Sequence, residues 1–158
     1  MTAMIVEHLF LSPQRGAPQQ ACVQLELCTG QGVVGDRHQG RADWSGQNLT
    51  LVEAEEIEAF CALSQREVDW SLTRRNVVTR GVRLNELVGK TFRLGDCMLR
   101  GIERCEPCRT LGQRLANTAL TGPQVVSHWL GRGGLRVDVL RGGTLRIGDI
   151  PEVVEGGV

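Results

Sequence analysis

Short apolar runs, each closed by glycine within a few residues, set the tightest limit on what this chain can fold into. Twenty glycines are spread over 158 residues. Glycine weakens helix interiors and supplies the positive backbone torsions that tight turns need. Runs of this kind read as strands. Residues 5–12, IVEHLFLS, make an expected first strand, and residues 22–27 alternate apolar and polar as a half-buried strand does. A hairpin is expected around Gly95-Asp96, with Cys97, Leu99 and Gly101 facing one side and Met98, Arg100 and Ile102 the other. The clearest hairpin signal is GLRVDVLRGGTLRIGDIPEVV, which alternates on both sides of Gly142-Gly143.

Helical signals are fewer. In QNLTLVEAEEIEAFCALS a short strand leads into a helix, with Thr50 and Glu53 spaced as a capping box. Ala54, Ile57 and Cys61 share its apolar face, widened by Phe60 and Leu63. CRTLGQRLANTAL is weakly helical, and a last helix opens near Pro123 and stops at Gly131. Strands do not alternate regularly with long helices, so a parallel α/β sheet is not expected. The reading is a single, mostly β domain over residues 1–158, a closed barrel or sandwich with a few short α-helices.

Composition excludes several classes of partner. Formal net charge is zero with both signs interspersed, which gives no electrostatic footprint for nucleic acid or for an anionic membrane. No apolar run reaches the length of about 18 residues that spans a bilayer. The N-terminal MTAMIVEHLFLSPQRG lacks a basic start and carries Glu7 and His8 inside its apolar run, unlike a secretory signal. The expected location is the cytoplasm, where the six cysteines stay reduced. Lys90 is the only lysine, all other basic side chains being arginine. That bias fits genomic base composition, or arginines that fork onto phosphates and carboxylates.

Cys22, Cys28, Cys61 and Cys97 sit mostly among apolar residues and read as small core hydrophobes. Cys105-Glu106-Pro107-Cys108 is the one suggestive spacing. A structural zinc site wants a second such pair or two histidines, and His8, His38 and His128 are far apart in sequence. A thioredoxin-like redox pair wants a βαβ setting, absent here. Two unremarkable cysteines at a strand end remain open, as does a working thiolate at Cys108. For the last, Pro107 stiffens the turn, a helix beginning there lowers the thiol pKa, and Arg104 and Arg109 add positive charge. Such a thiolate is a soft ligand for a transition metal, or a sulfur carrier.

Two further constellations stand out. In RRNVVTRG, Arg74, Arg75 and Arg80 surround Asn76 and Thr79. They read as a cradle for an anionic, hydrogen-bonding ligand such as a phosphorylated heterocycle, or as a solvated loop. GVVGDRHQG places Asp36, Arg37 and His38 in a long loop, which reads as a pocket wall or as a polar surface turn. His38 is a candidate proton donor near neutral pH, with Asp36 beside it.

In order, GDRH, NLTLVEAEE, RRNVVTRGVRLNELVGKTFRLGD, CEPC and GRGGLRVDVLRGGTLRIGD resemble a small stand-alone bacterial MOSC domain, over residues 33–149. That family is named for the C-terminal region of molybdenum cofactor sulfurases. The resemblance implies a mostly antiparallel β-barrel with short helices. It implies binding of the molybdenum cofactor, a pterin bearing a dithiolene and a phosphate, or the handling of sulfur for it. The family's Pro-Cys cysteine, protein ligand to molybdenum in the reductase members, falls on Cys108, leaving Cys105 a bystander. The Arg-x-Asn element falls on Arg74 and Asn76, with Arg75 between them and Thr79 and Gly81 following. These residues would line the cofactor pocket.

The chain is shorter than the reductase members, and no counterpart is expected of their N-terminal β-barrel or of the sulfurases' aminotransferase-like domain. Three readings follow. In the first, Cys108 ligates the cofactor and the protein reduces N-hydroxylated or N-oxide substrates, with His38 or Asp36 as proton source and an electron-donor protein as partner. In the second, Cys108 carries a persulfide received from a sulfur-donor protein. In the third, the domain is a non-catalytic binding module. Three arrangements are open to a chain this small: loose binding of the cofactor, work with a partner, or a homodimer that completes the pocket.

Overall fold

The computed structural model describes residues 3–41 and 44–154. Along the chain come β1 (Ile5–Leu11), β2 (Gln20–Cys22), β3 (Gln24–Cys28), β4 (Gly32–Val33), β5 (Leu49–Glu53), α1 (Ala54–Leu63) and β6 (Val77–Arg80). A 3-10 turn (Leu84–Leu87) leads to β7 (Thr91–Leu94), β8 (Cys97–Arg104), α2 (Arg109–Leu115), α3 (Gly122–Trp129), β9 (Leu135–Arg141), β10 (Gly143–Arg146) and β11 (Pro151–Val153). Eight strands form one sheet in the order β11-β7-β8-β9-β5-β6-β1-β2, and three form another, β10-β3-β4. Among the described strands every ladder is antiparallel except that of β5 with β6, which α1 joins as a crossover.

The mostly β reading with three short helices holds. The expected closed barrel is not what pairs: no ladder joins the sheet edges β11 and β2 among the described residues. Turn hydrogen bonds connect the two sheets instead, Gly30 N–H after β3 to the Val139 carbonyl of β9 and Asp96 N–H after β7 to the Thr144 carbonyl of β10. No helix among the described residues is long and apolar enough to cross a membrane.

Two apolar layers share the central strands. Leu9, Leu49, Leu51 and Val77 point into one, with Phe92, Leu99 and Val137. Phe10, Val52 and Val78 point into the other, under Ile57 and Phe60 of α1, Leu111 and Leu115 of α2 and Trp129 of α3. Strands β1, β5 and β6 are therefore covered on both faces, which is why their sequences are nearly continuous apolar runs. Each fully buried Leu or Phe contributes about 1.5–3 kcal/mol relative to exposure.

Several local expectations change. The Gly95-Asp96 hairpin forms, with Leu94 opposite Cys97. Gly142-Gly143 makes no hairpin: β10 pairs with β3, Gly143 opposite Leu27. Here a Cβ on Gly142 would strike the Leu27 carbonyl, and one on Gly143 would crowd Asp96. The glycines let the chain pass from one sheet to the other. Strand alternation reports which face a side chain takes and says nothing about which strand lies alongside. Thr50 and Glu53 make no capping box. Thr50 belongs to β5, and Glu53 is the N-cap residue of α1 with no side-chain cap bond. The capping box lies on α3 instead, where Thr121 and Gln124 bond reciprocally. Leu63 is exposed rather than part of the α1 apolar face. The strand expected over residues 22–27 is split into β2 and β3. Cys61 and Cys97 are buried core thiols, while Cys22 and Cys28 are half-buried.

Gly101 marks a close approach of two backbone segments. Its N–H donates to the Lys90 carbonyl and its carbonyl accepts from Gly89 N–H, so the 89–90 backbone lies directly against β8. A Cβ there would collide with the Leu87 carbonyl. Gly101→Ala is expected to lower stability by about 1–3 kcal/mol, the usual cost of overpacking. Urea unfolding midpoints of the two proteins would measure it.

Candidate functional site

A cavity of about 640 Å³ opens where Thr73–Asn76, just before β6, meet the Pro107-Cys108 turn and the residues Asp36, Arg37, His38, Arg41, Trp44 and Gln47. Asn76 builds its floor. The Asn76 Oδ1 accepts from the Thr50 N–H and hydroxyl, each at 3.2 Å, while Nδ2 donates to the Phe10 carbonyl at 3.2 Å. One amide thus ties β5, β6 and β1 together just before β6 begins. It shapes the cavity with most of its hydrogen-bonding capacity already used by the protein.

The residues before Asn76 carry the charge. Arg74 takes a left-handed backbone conformation, φ 59°, one of two non-glycine residues with positive φ among the described residues. That conformation costs a side-chain-bearing residue about 1–2 kcal/mol and recurs at functional sites. Arg74 Nη2 donates to the Ala17 carbonyl at 2.9 Å and to the Ser12 hydroxyl at 3.3 Å. Arg75 Nε donates to the Gly133 carbonyl at 3.2 Å. Arg114 joins them from α2, its Nη1 donating to the Leu72 carbonyl at 2.9 Å. Burial, then the charges of Arg74 and Arg75, lower the Arg114 pKa.

The two cysteines of CEPC differ sharply. Cys105 is fully buried and its pKa is raised by desolvation. The 133–134 backbone packs on it: its N–H donates to the Gly134 carbonyl at 2.8 Å, and a Cβ on Gly133 would strike its carbonyl. Cys108 is the exposed one of the six free cysteines and faces the cavity. As N-cap of α2 it sits over unsatisfied amides. Hydrogen bonding from the Leu111 N–H lowers its pKa most, helped by the Thr110 N–H and hydroxyl and by Arg75, against a smaller upward effect of burial. Among the described residues no three His, Cys, Asp or Glu side chains gather to hold a metal ion, so a zinc site of the usual donor set is not assembled there.

Asp36 and His38 also line the cavity. Asp36 Oδ1 accepts from the Ser12 N–H at 2.7 Å and Oδ2 from the His38 N–H at 3.0 Å, which ties the loop to the end of β1. His38 Nδ1 lies 3.6 Å from Asp36 Oδ2. Burial and Arg37 lower the His38 pKa more than Asp36 raises it.

Three expected cradle residues lie outside the cavity. The Thr79 hydroxyl is buried against the Val52 carbonyl, the Gly81 N–H donates to a Glu55 carboxylate oxygen, and Arg80 is clamped by Glu7 and Glu58 at 2.7 and 2.8 Å. The reason is that β6 runs from the cavity into the core under α1. Arg114, Arg136, Thr73, Gln19 and Trp44 were not foreseen, and all line the cavity. They come from separate elements, so no local spacing marks them.

The contrast between the cysteines is open to direct measurement. Iodoacetamide should alkylate Cys108 with a pH midpoint below the ordinary thiol value of about 8.5. Because the bonds from residue 110 favour the thiolate, Thr110→Ala should move that midpoint upward, while Cys105 should react only on unfolding. Peptide mapping over a pH series reads all three outcomes.

The comparisons with known proteins agree with this architecture. The structure is similar to the YuaD protein of Bacillus subtilis, with TM-score 0.81 and 22% identity over 97% of this chain and 96% of that one. It is similar to YiiM of Geobacillus stearothermophilus, TM-score 0.75 and 13% identity over 98% of this chain and 77% of that one. For YiiM of Escherichia coli the TM-score is 0.67 and the identity 18%, over 96% of this chain and 70% of that one. At these identities the likeness shows a shared fold. No protein of curated function matches the sequence. The MOSC domain model matches residues 34–151, a span that takes in the 36–47 loop, the arginine turn, Asn76 and Cys108, and the chain belongs to the MOSC domain family.

Proposed function

We propose that this protein binds the molybdenum cofactor in the cavity, with the Cys108 thiolate as its protein ligand to the metal, and reduces N-hydroxylated or N-oxide substrates. The observation that carries the reading is Cys108 itself: exposed, held toward thiolate by the amides of α2, and facing an arginine-lined cavity. A thiolate is a soft ligand of the kind molybdenum takes.

The residues present fit the group. Arg74, Arg75 and Arg114 would hold its phosphate, arginine forks being suited to that geometry. Among the described residues, three buried polar atoms of the cavity wall lack a partner: Gln19 Oε1, Thr73 Oγ1 and Arg37 Nε. Polar atoms buried without a bond are costly, and a ring rich in donors and acceptors such as a pterin would satisfy them. When bound, the cofactor supplies two-electron oxygen-atom exchange, which no side chain performs alone.

The chain's own contribution is positioning and charge. Cys108 is presented at a fixed helix start, with Pro107 limiting the turn before it. Asn76 fixes the arginine turn relative to β1 and β5. His38, its ring 3.6 Å from Asp36, would relay a proton through its ring nitrogens. A reducing cytoplasm would keep Cys108 free, and an electron-donor protein would be the partner. A second reading rests on the same exposed thiolate, which suits a persulfide received from a sulfur-donor protein.

Protein purified from a cofactor-competent host is expected to carry roughly one molybdenum and one pterin per cavity, and Cys108→Ala to lose the metal by at least about tenfold. Metal and pterin analysis reads this directly. Cyanide-labile sulfur on Cys108 with no molybdenum in either protein would favour the persulfide carrier. Neither metal nor labile sulfur, with function kept in Cys108→Ser, would leave a binding module.

A further inference from the structure

Among the described residues six arginines line the cavity, against two carboxylates, Asp36 and Glu106. They fall into two groups. The charges of Arg74 and Arg75 act on Arg114, and Arg75 acts on Cys108. Each of these three already spends an N–H on a backbone carbonyl. The charges of Arg37, Arg41 and Arg136 act instead on His38, while Cys105, between the groups, feels Arg75 and then Arg136. Arg37 Nε is buried with no partner among the described residues. Among the described residues the one ion pair of Arg136 is with Glu103 at 3.9 Å, beyond hydrogen-bond reach.

Trp44 adjoins this second group. It lines the main cavity and also a neighbouring one of about 280 Å³, and the two cavities share Trp44 and Asn48. Its side chain is 63% exposed, a large apolar ring left in solvent at the junction of two cavities. An exposed indole face binds planar rings by stacking.

A single phosphate is matched by two or three arginine forks, and the group around Cys108 supplies those. The second group is surplus to that need. Gathering like charges and burying a donor unpaired is unfavourable unless an anion relieves both. We propose that Arg37, Arg41 and Arg136 form a second anion subsite beside Trp44, and that the substrate is a planar ring bearing a phosphate or a carboxylate. This rests on the reading that the first group holds the cofactor.

The test is calorimetric titration of the full chain, in cofactor-loaded and cofactor-free form, with two pairs of probes. AMP is compared with adenosine, and nicotinate with nicotinamide, so that each ring is offered with and without its charge. At least one charged probe is expected to bind about tenfold more tightly than its neutral partner, and which pair shows it separates phosphate from carboxylate. Arg37→Gln with Arg41→Gln should erase that preference, and Trp44→Ala should weaken every ring. The exposed single variant Arg41→Gln serves if the pair melts early. Equal binding of charged and neutral probes would overturn the proposal. So would a preference that Arg75→Gln removes and Arg37→Gln with Arg41→Gln leaves intact. Molybdenum content is read separately, so absence of the cofactor with the charge preference kept would count against the function above and not against this subsite.

Discussion

The Asn76 side chain is the constraint on which the site depends. Three strands from different parts of the chain converge on one amide: Thr50 of β5, Phe10 of β1, and Asn76 itself at the mouth of β6. The pair β5 and β6 is the one parallel ladder among the described strands, and parallel strands cannot be registered by a tight turn. A side chain that bonds both backbones supplies that register. It also fixes where β6 starts, and with it where the preceding arginines emerge. An amide is suited to this because it donates on one side and accepts on the other.

The site is built at the price of local strain and like-charge crowding. Arg74 holds a left-handed backbone, and Arg114 is pushed toward its neutral form by burial and by Arg74 and Arg75. Unfavourable features of this kind persist when the surrounding structure over-determines them. Here the supports are visible. Backbone carbonyls of Ala17, Gly133 and Leu72 each receive one guanidinium, so the forks are oriented before any ligand arrives. Orientation in advance lowers the entropic cost of binding.

The division of labour between Cys105 and Cys108 follows from a few ångströms of chain. Cys105 directly follows β8 and is enclosed by the 133–134 backbone, where burial disfavours a charge. Cys108 begins α2, where unpaired amides favour one. Their identical side chains are thereby given opposite protonation preferences. Pro107, between them, is compatible with both, since it needs no amide partner on the way from strand to helix.

Much of this was legible in the sequence. Alternation in residues 97–102 assigned the two faces of β8 correctly, because a strand's side chains must alternate whatever its neighbours are. The order of motifs identified the family, and Cys108, Arg74, Arg75, Asn76, Asp36 and His38 do share one cavity. Strand partners were not legible: β10 follows β9 across two glycines yet pairs with β3, because pairing depends on which edges the folded core leaves open. Nor were Arg114, Arg136 and Trp44, which enter the cavity from a helix, a strand and a loop with no shared spacing. The sequence by itself determined local conformation, face and the chemistry on offer, since these depend on neighbours along the chain. Tertiary structure alone decided which arginines surround Cys108, and that Thr79 and Gly81 turn away into the core, since these depend on packing between segments far apart in sequence.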